Sequence, residues 1–399
     1  MKRIATLPTG FVVVLFLTML FTLKAWFSMP VDMKMVSPLL AVLMVAVGSK
    51  YFRTDNSTIT TILLCLVSYF VSTRGNMNAY IGSFLSILPF FVFCFYRRDI
   101  RIRFFYVFNK LLAILIAIST AFWILHLLGV PLLHSSLVYG ENYAYNNYYF
   151  FLDFIFSISY LDFFPRFYCI FIEPSIIGML SAFMLFLDGF KLKKWYNIVY
   201  LVALLLTFSL AGFVLFAVAL IPHVLYGSGS RSSSRFWYLF IIAVVLGFGY
   251  YAMYVADQSS VVYQMFGHRL EWNEDTGTIA GYDRSGENLD DFVKTKFWES
   301  GNVLFGFGPD FPLNGVDWKV FLVKYGIVSL VLYILFLFTC YLQRKSRMGL
   351  WWFILFIMAC YRGYSIMFWP GFLILYVMGL DYLYYSKDKR LDAWNSPLG

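Results

Sequence analysis

The sequence predicts an all-α polytopic membrane protein, and three observations lead there. Of 399 residues, 61% are hydrophobic and only 13% are charged, far from the mix of a soluble domain. Apolar stretches of roughly 16 to 25 residues recur along almost the whole chain, each long enough to carry a helix across about 30 Å of hydrocarbon. Basic residues, in turn, cluster in alternate connections between those stretches.

Taken in order, the expected spans are residues 8–27, 37–52, 58–73, 79–96, 104–130, 167–187, 195–209, 211–226, 236–255, 317–342, 349–361 and 366–384. That is about twelve helices in a single integral domain, 1–399, with no separate soluble domain left over. The first stretch, Leu7 to Phe27, follows Met1-Lys2-Arg3 and shows no small-residue cleavage site before Lys24, so it reads as a retained span. Two pairs are open: "LLLTFSLAGF" and "YRGYSIMFWPG" each suit a tight turn or a break within a helix.

One set of connections holds Lys50 and Arg53, the cluster Arg97, Arg98, Arg101 and Arg103, then Lys191, Lys193 and Lys194, and later Arg344, Lys345 and Arg347. The positive-inside rule assigns this set, and with it both termini, to the cytoplasm. Short loops on the opposite side carry few basic residues, but that side holds two long connections, 131–166 and 256–316. Function is expected there. The net charge of +9 is absorbed by this topology, and no nucleic-acid partner is expected. Cys65, Cys94, Cys169, Cys340 and Cys360 all fall in apolar stretches as small hydrophobes, with no disulfide or zinc spacing.

Leu137 to Arg166, "LVYGENYAYNNYYFFLDFIFSISYLDFFPR", is too polar at its start and too aromatic throughout for a plain linker, and a helix lying in the interface would suit it. Its tyrosines, Tyr139, Tyr143 and Tyr145 among them, either anchor the interface or stack on sugar rings. Next comes "RFYCIFIEPSIIGML", in which Arg166 and Glu173 stand seven residues apart. On a helix they would lie two turns apart on one face, able to address one pocket, and charges at that depth mark either a functional path or a structural ion pair. Pro174, lacking an amide donor, would open that helix near residue 170 and free a carbonyl.

The second long connection offers His268, Arg269, Arg284, Lys294 and Lys296 to an anionic partner such as a lipid diphosphate. Arg362, in "CYRGYS", is a further cation at depth. "LFGFGPD" is glycine-rich but follows no expected strand, so it is not a nucleotide loop. His126, His134 and His223 have no partner at motif spacing and read as structural.

Three stretches carry a resemblance to the Wzy-type O-antigen polymerases, within the O-antigen ligase and polymerase superfamily of GT-C glycosyltransferase architecture. "RFYCIFIEPSIIGML" resembles that family's arginine, Glu-Pro and small residue at the start of a central span; "LLLTFSLAGFVLF" is similar to its Thr/Ser-rich break. Gly301 to Phe336, "GNVLFGFGPDFPLNGVDWKVFLVKYGIVSLVLYILF", resembles its Gly-Phe-Gly element leading into a Gly-Ile span. The resemblance implies an essential arginine in each long periplasmic loop: Arg166 in the first, and Arg284 or Arg269 in the second. His268 would correspond to a histidine of the ligase branch.

The implied reaction moves a growing glycan from undecaprenyl diphosphate onto a newly flipped lipid-linked repeat unit, at the periplasmic face of the bacterial inner membrane. Arginines would neutralise the leaving diphosphate, and Glu173 or His268 would take the proton from the attacking hydroxyl. Partners implied are undecaprenyl-diphosphate-linked glycans, membrane lipid, and a chain-length regulator and flippase of the same pathway. Oligosaccharyltransferase-like relatives carry a metal-binding acid pair in the first outer loop, whereas "KAWFSMPVDMKM" holds only Asp32, so neither metal nor other cofactor is expected. Two further readings compete: an O-antigen ligase acting on lipid A-core, and a flippase, a transporter class in which internal repeats would be expected.

Overall fold

The computed structural model describes residues 7–73, 76–139, 143–154, 166–226, 249–260, 287–313, 318–363 and 369–386, with shorter pieces between 243 and 279 and at 366–367. It is mostly helical. Contacts divide the chain into two compact units, residues 1–109 with 287–399, and residues 110–286. Among the described residues four helices are long and apolar enough to cross a membrane, spanning Met33–Tyr51, Met77–Phe95, Arg98–Leu127 and Trp318–Leu342, and shorter apolar helices accompany them.

The first unit contains α1 (Thr9–Thr22), α2 (Met33–Gly48), α3 (Asn56–Ser72), α4 (Met77–Phe95) and the beginning of α5 (Arg98–Leu127). After the second unit it resumes with α9 (Glu287–Phe292), α10 (Trp318–Leu342), α11 (Arg347–Arg362) and α12 (Pro370–Ser386). Side-chain caps start several of these helices: Asp32 accepts from the Lys34 amide, Asp55 from Thr58, Asn76 from Asn78 and Ala79, and Ser346 from Gly349. α2 packs on α4, α3 on α10, and α12 lies against α1, α4 and α11.

Polar side chains tie this unit's core to backbone carbonyls. The buried Tyr96 hydroxyl donates to the Met44 carbonyl at 2.7 Å, and Trp352 Nε1 donates to the Tyr376 carbonyl at 2.9 Å. Gly48 and Gly379 make room for these two rings, because a Cβ at either position would run into Tyr96 or Trp352. At the opposite end from the cavity described below, Asp381 accepts from Arg101 Nε at 2.7 Å and from Arg344 Nε at 2.6 Å, with all three side chains at most 3% exposed. Two arginines of the expected cytoplasmic set are therefore buried in a cluster.

The Gly-Phe-Gly stretch has a backbone role. α10 breaks at Gly326 (φ 79°, ψ 172°), and the chain at 303–308 lies against the break. The Phe307 and Gly308 amides donate to the Val323 and Lys324 carbonyls at 2.8 and 2.9 Å, while the Ile327 and Val328 amides donate to Val303 and Leu304 at 3.1 and 3.0 Å. Groups orphaned by the kink are thus paired again. Both Gly306 (φ 69°) and Gly326 are left-handed, and a Cβ at either would strike the facing backbone.

The second unit holds the remainder of α5, a three-stranded antiparallel sheet in the order β1 (Ser135–Tyr139), β2 (Tyr143–Asn147), β3 (Leu152–Phe154), then α6 (Pro174–Leu187), α7 (Trp195–Leu206) and α8 (Leu210–Tyr226). A short hairpin, β4 (Trp272–Asn273) with β5 (Thr278–Ile279), lies further on. The expected interfacial helix in 137–166 is replaced by strands as far as the described residues reach. The β-branched and aromatic residues Val138, Tyr139, Tyr143 and Tyr145 favour strands, with Ser135 opposite Asn147 and Tyr139 opposite Tyr143.

α6 is buried along its whole length, as befits a helix that is apolar all round. It packs on α7 and α8, and at its crossing with α8 Gly178 meets Gly212: a Cβ on Gly212 would stand 3.0 Å from the Gly178 Cα. "LLLTFSLAGF" resolves as a turn between α7 and α8, with Phe208 at φ 45°. "YRGYSIMFWPG" likewise separates two helices, α11 and α12. Of the expected ninth span, residues 249–254 are helical and most of the rest lies outside the described residues.

Candidate functional site

Residues 166–173 are not helical, which changes the expected geometry of Arg166 and Glu173. Pro174 is the first residue of α6 and Glu173 its N-cap, at φ −140° and ψ 141°. The reason is local: proline suits the first helical position, where no amide partner is needed, and it drives the residue before it into the extended region. Pro174 therefore starts a helix instead of breaking one, and no carbonyl near residue 170 is freed by a break. The two charges do not stand two helical turns apart on one face.

The non-helical run entering α6, which turns at Cys169 (φ 54°), is fastened on both sides. The Phe167 amide donates to the Leu206 carbonyl at 3.1 Å, and the Leu152 amide donates to the Cys169 carbonyl at 2.9 Å. Phe167 meets Trp123 edge-on at 5.9 Å between centroids. Arg166, half-buried, reaches the end of α7: Nε donates to the Thr207 carbonyl and Nη2 to the Phe208 carbonyl, each at 3.0 Å. A guanidinium there satisfies carbonyls that a helix C-terminus leaves unpaired and complements the negative end of its dipole. Glu173, also half-buried, accepts from the Ser175 hydroxyl at 2.7 Å. Gly178 follows one turn later, where a Cβ would meet Ser209 at 3.1 Å and Thr207 at 3.3 Å. Arg166 is thus tied to the Thr-Phe-Ser turn by hydrogen bonds between segments about 41 residues apart, Gly178 of α6 packs on the same turn, and Glu173 caps the start of that helix.

A second titratable pair escaped the sequence reading. His126 Nε2, in the last turn of α5, lies 3.2 Å from Asp153 Oδ2 on β3, and the imidazole packs 4.7 Å from the Tyr148 ring. Ser119 and Phe122, two turns and one turn earlier on α5, hold the same loop: Ser119 donates to the Phe150 carbonyl, and Phe122 stacks on Phe150 at 4.5 Å. The signal was weak in the sequence, because Asp153 sits among aromatics 27 positions from His126. His223, as expected, is packed structurally between Phe186 and Phe190.

The other expected site residues are placed as follows. Tyr145 is buried on β2, so its ring serves packing and is not offered to a sugar. Tyr139 and Tyr143 face each other in register, and their side chains lie outside what is described. Lys296 is exposed in the π-helical turn Val293–Phe297. Arg362 ends α11, and its side chain, like His268, Arg269 and Arg284, lies outside the described residues. Among the described residues no three His, Cys, Asp or Glu side chains gather closely enough to hold a metal ion. Comparisons of the chain with protein-family models, with curated proteins and with solved structures give no match.

Proposed function

We propose that this protein is a membrane-embedded glycosyltransferase that polymerises lipid-diphosphate-linked repeat units into a surface polysaccharide, built on about twelve spans with a GT-C-like arrangement and acting at the periplasmic face of the bacterial inner membrane. The observation that carries the reading is Arg166 bonded to the Thr207–Ser209 turn, on which the helix capped by Glu173 packs through Gly178. Arg166, Glu173 and the turn all belong to stretches that resemble the polymerase family, and α6 carries Glu173 at its head and meets the turn at Gly178. Support also comes from the Gly-Phe-Gly element, whose Gly306 lies so close to the Gly326 break that a Cβ there would strike the Lys324 backbone.

In this reading arginine donors stabilise charge on the departing diphosphate, with Arg166 also holding the α7–α8 turn and Arg269 or Arg284 serving from the second long loop. Glu173 takes the proton from the attacking sugar hydroxyl as the new glycosidic bond forms, and the diphosphate leaves with the bonding electron pair. A single displacement inverts the anomeric carbon.

Deleting the gene and inspecting the surface glycan tests the assignment. Polymerase loss leaves lipid A-core carrying one repeat unit. Chains stranded on undecaprenyl diphosphate would identify a ligase instead, and absence of any outward-facing repeat would identify a flippase. Within the polymerase reading, Arg166→Ala and Glu173→Ala abolish chain extension at normal membrane levels, whereas ordinary banding in either variant removes that residue from the mechanism.

A further inference from the structure

The first unit has an open cavity of about 550 Å³ at the end where α2, α4 and α12 begin and α1 and α3 finish. Its size lies within the range of small-molecule sites. Two lysines reach it. Lys24 follows α1 with a left-handed backbone (φ 63°), unusual for a residue with a side chain, and its ammonium stands 5.5 Å from the Trp369 ring centroid. Lys34, in the first turn of α2, lies across Gly82 of α4, where a Cβ would come within 3.1 Å of its stem. Among the described residues neither lysine has an ion-pair partner, and the cavity's one carboxylate is Asp310.

The wall is mixed in a particular way. Trp369 and Tyr325 contribute rings, and the amides of Asn76 and Asn78 together with the hydroxyls of Ser72 and Ser83 supply uncharged hydrogen-bonding groups. Tyr325 and Asp310 are put there by the Gly326 break and by the Gly-Phe-Gly segment laid against it. The positive ends of α2, α4 and α12 add to the lysine charge. Cations alone would suit any anion. Aromatic faces with amides and hydroxyls suit the alternating apolar faces and hydroxyls of a sugar ring.

We propose that this cavity is a binding site for an anionic sugar, a monosaccharide unit bearing a carboxylate or a phosphate, held by Lys24 and Lys34 at its charge and by Trp369 at its ring. The site belongs to the first unit and Arg166 to the second, and the proposal does not depend on the glycosyltransferase reading: it is tested by binding with no transfer reaction. A sugar presented on a lipid, on a glycan or free has the same chemistry for this site, that of the charged sugar.

The test uses the full chain in lipid nanodiscs, with calorimetric titration of four probes: glucose 1-phosphate, glucuronate, glucose and inorganic phosphate. Glucose 1-phosphate and glucuronate should each bind about tenfold more tightly than either glucose or phosphate, one charge-assisted contact or one ring contact being lost in the simpler probes. Lys24→Gln and Lys34→Gln should each weaken the charged sugars about tenfold and leave glucose unchanged. Trp369→Ala should weaken all three sugars and spare phosphate. Lys34→Arg, which keeps the charge, serves as the folded control if a glutamine variant melts early. Phosphate binding as tightly as glucose 1-phosphate would reduce the cavity to a bare anion site and overturn the proposal. So would glucose matching glucuronate, affinities that ignore both lysine variants, or no binding by any probe.

Discussion

Replacing Asp381 by asparagine removes one charge and almost no volume from the interior of the first unit. Two guanidiniums converge on that carboxylate, Arg101 at 2.7 Å and Arg344 at 2.6 Å, with Arg98 further off at 3.9 Å. Arg101 keeps the carbonyls of Cys94 and Tyr96, and Arg344 keeps those of Cys340 and the Gln343 side chain, so neither cation is stripped bare. What is lost is the counter-charge for both. Two charge-assisted hydrogen bonds at about 1.5–3 kcal/mol each suggest a cost of about 3–6 kcal/mol, and breaking a buried ion pair by removing one partner costs about 3–5 kcal/mol. We expect about 4 kcal/mol, measured as unfolding of the full chain in mixed micelles with rising SDS and followed by circular dichroism. A triple replacement of Arg101, Asp381 and Arg344 by methionine, leucine and methionine should recover most of the loss, because it removes the charges together. A loss below about 1 kcal/mol for Asp381→Asn would refute the argument that this buried carboxylate neutralises the cluster.

Other expectations follow from the same geometry. Gly326→Ala forces a Cβ into the backbone at Leu304 and Gly306 and should destabilise the chain by about 2–3 kcal/mol or more, read in the same unfolding assay. Arg166→Met leaves two carbonyls at the end of α7 without their donors and should cost about 2–4 kcal/mol, while Glu173→Gln, which keeps an acceptor for Ser175, should leave stability nearly unchanged and in the proposed reaction abolish turnover; equal effects on turnover and stability in both would make the pair structural. For Asp55, burial raises the carboxyl, but the Thr58 hydrogen bonds and the charges of Arg98 and Arg101 outweigh it and hold its pKa below the usual value. Because the folded form is the stronger acid, its contribution is present above the unfolded carboxylate pKa and lost as pH falls through the folded value. Asp55→Asn, still a good cap, should flatten that acid-side loss, whereas Asp55→Ala should cost about 1 kcal/mol near neutral pH.

How much could be read from residues alone depended on whether the determining interaction was local. Helix positions were legible because apolar run length and charge placement are properties of a segment: α1 to α8 and α10 to α12 overlie expected stretches, and the Glu-Pro and Gly-Phe-Gly words stood out before their roles were clear. Even so, periodic spacing misled at 166–173. Seven residues imply two turns only inside a helix, and Pro174 had already decided that the helix starts after Glu173. The sheet at 135–154 is not legible in the run itself, because its tyrosines suit an interface or a sugar ring as well as a pleat, and pairing depends on the strand opposite.

Composition, span length and the distribution of lysine and arginine by themselves determine that this is a mostly helical chain with apolar helices fit for a membrane. The tertiary structure decided which charges are structural and which face a cavity. Arg101 and Asp381 are 280 positions apart, and Arg166 meets a turn 41 positions away. Lys24 and Lys34 look like ordinary loop cations until α12 brings Trp369 and the Gly326 break brings Tyr325 and Asp310 beside them. Burial and pairing depend on neighbours distant in sequence, and those are supplied only when the chain packs.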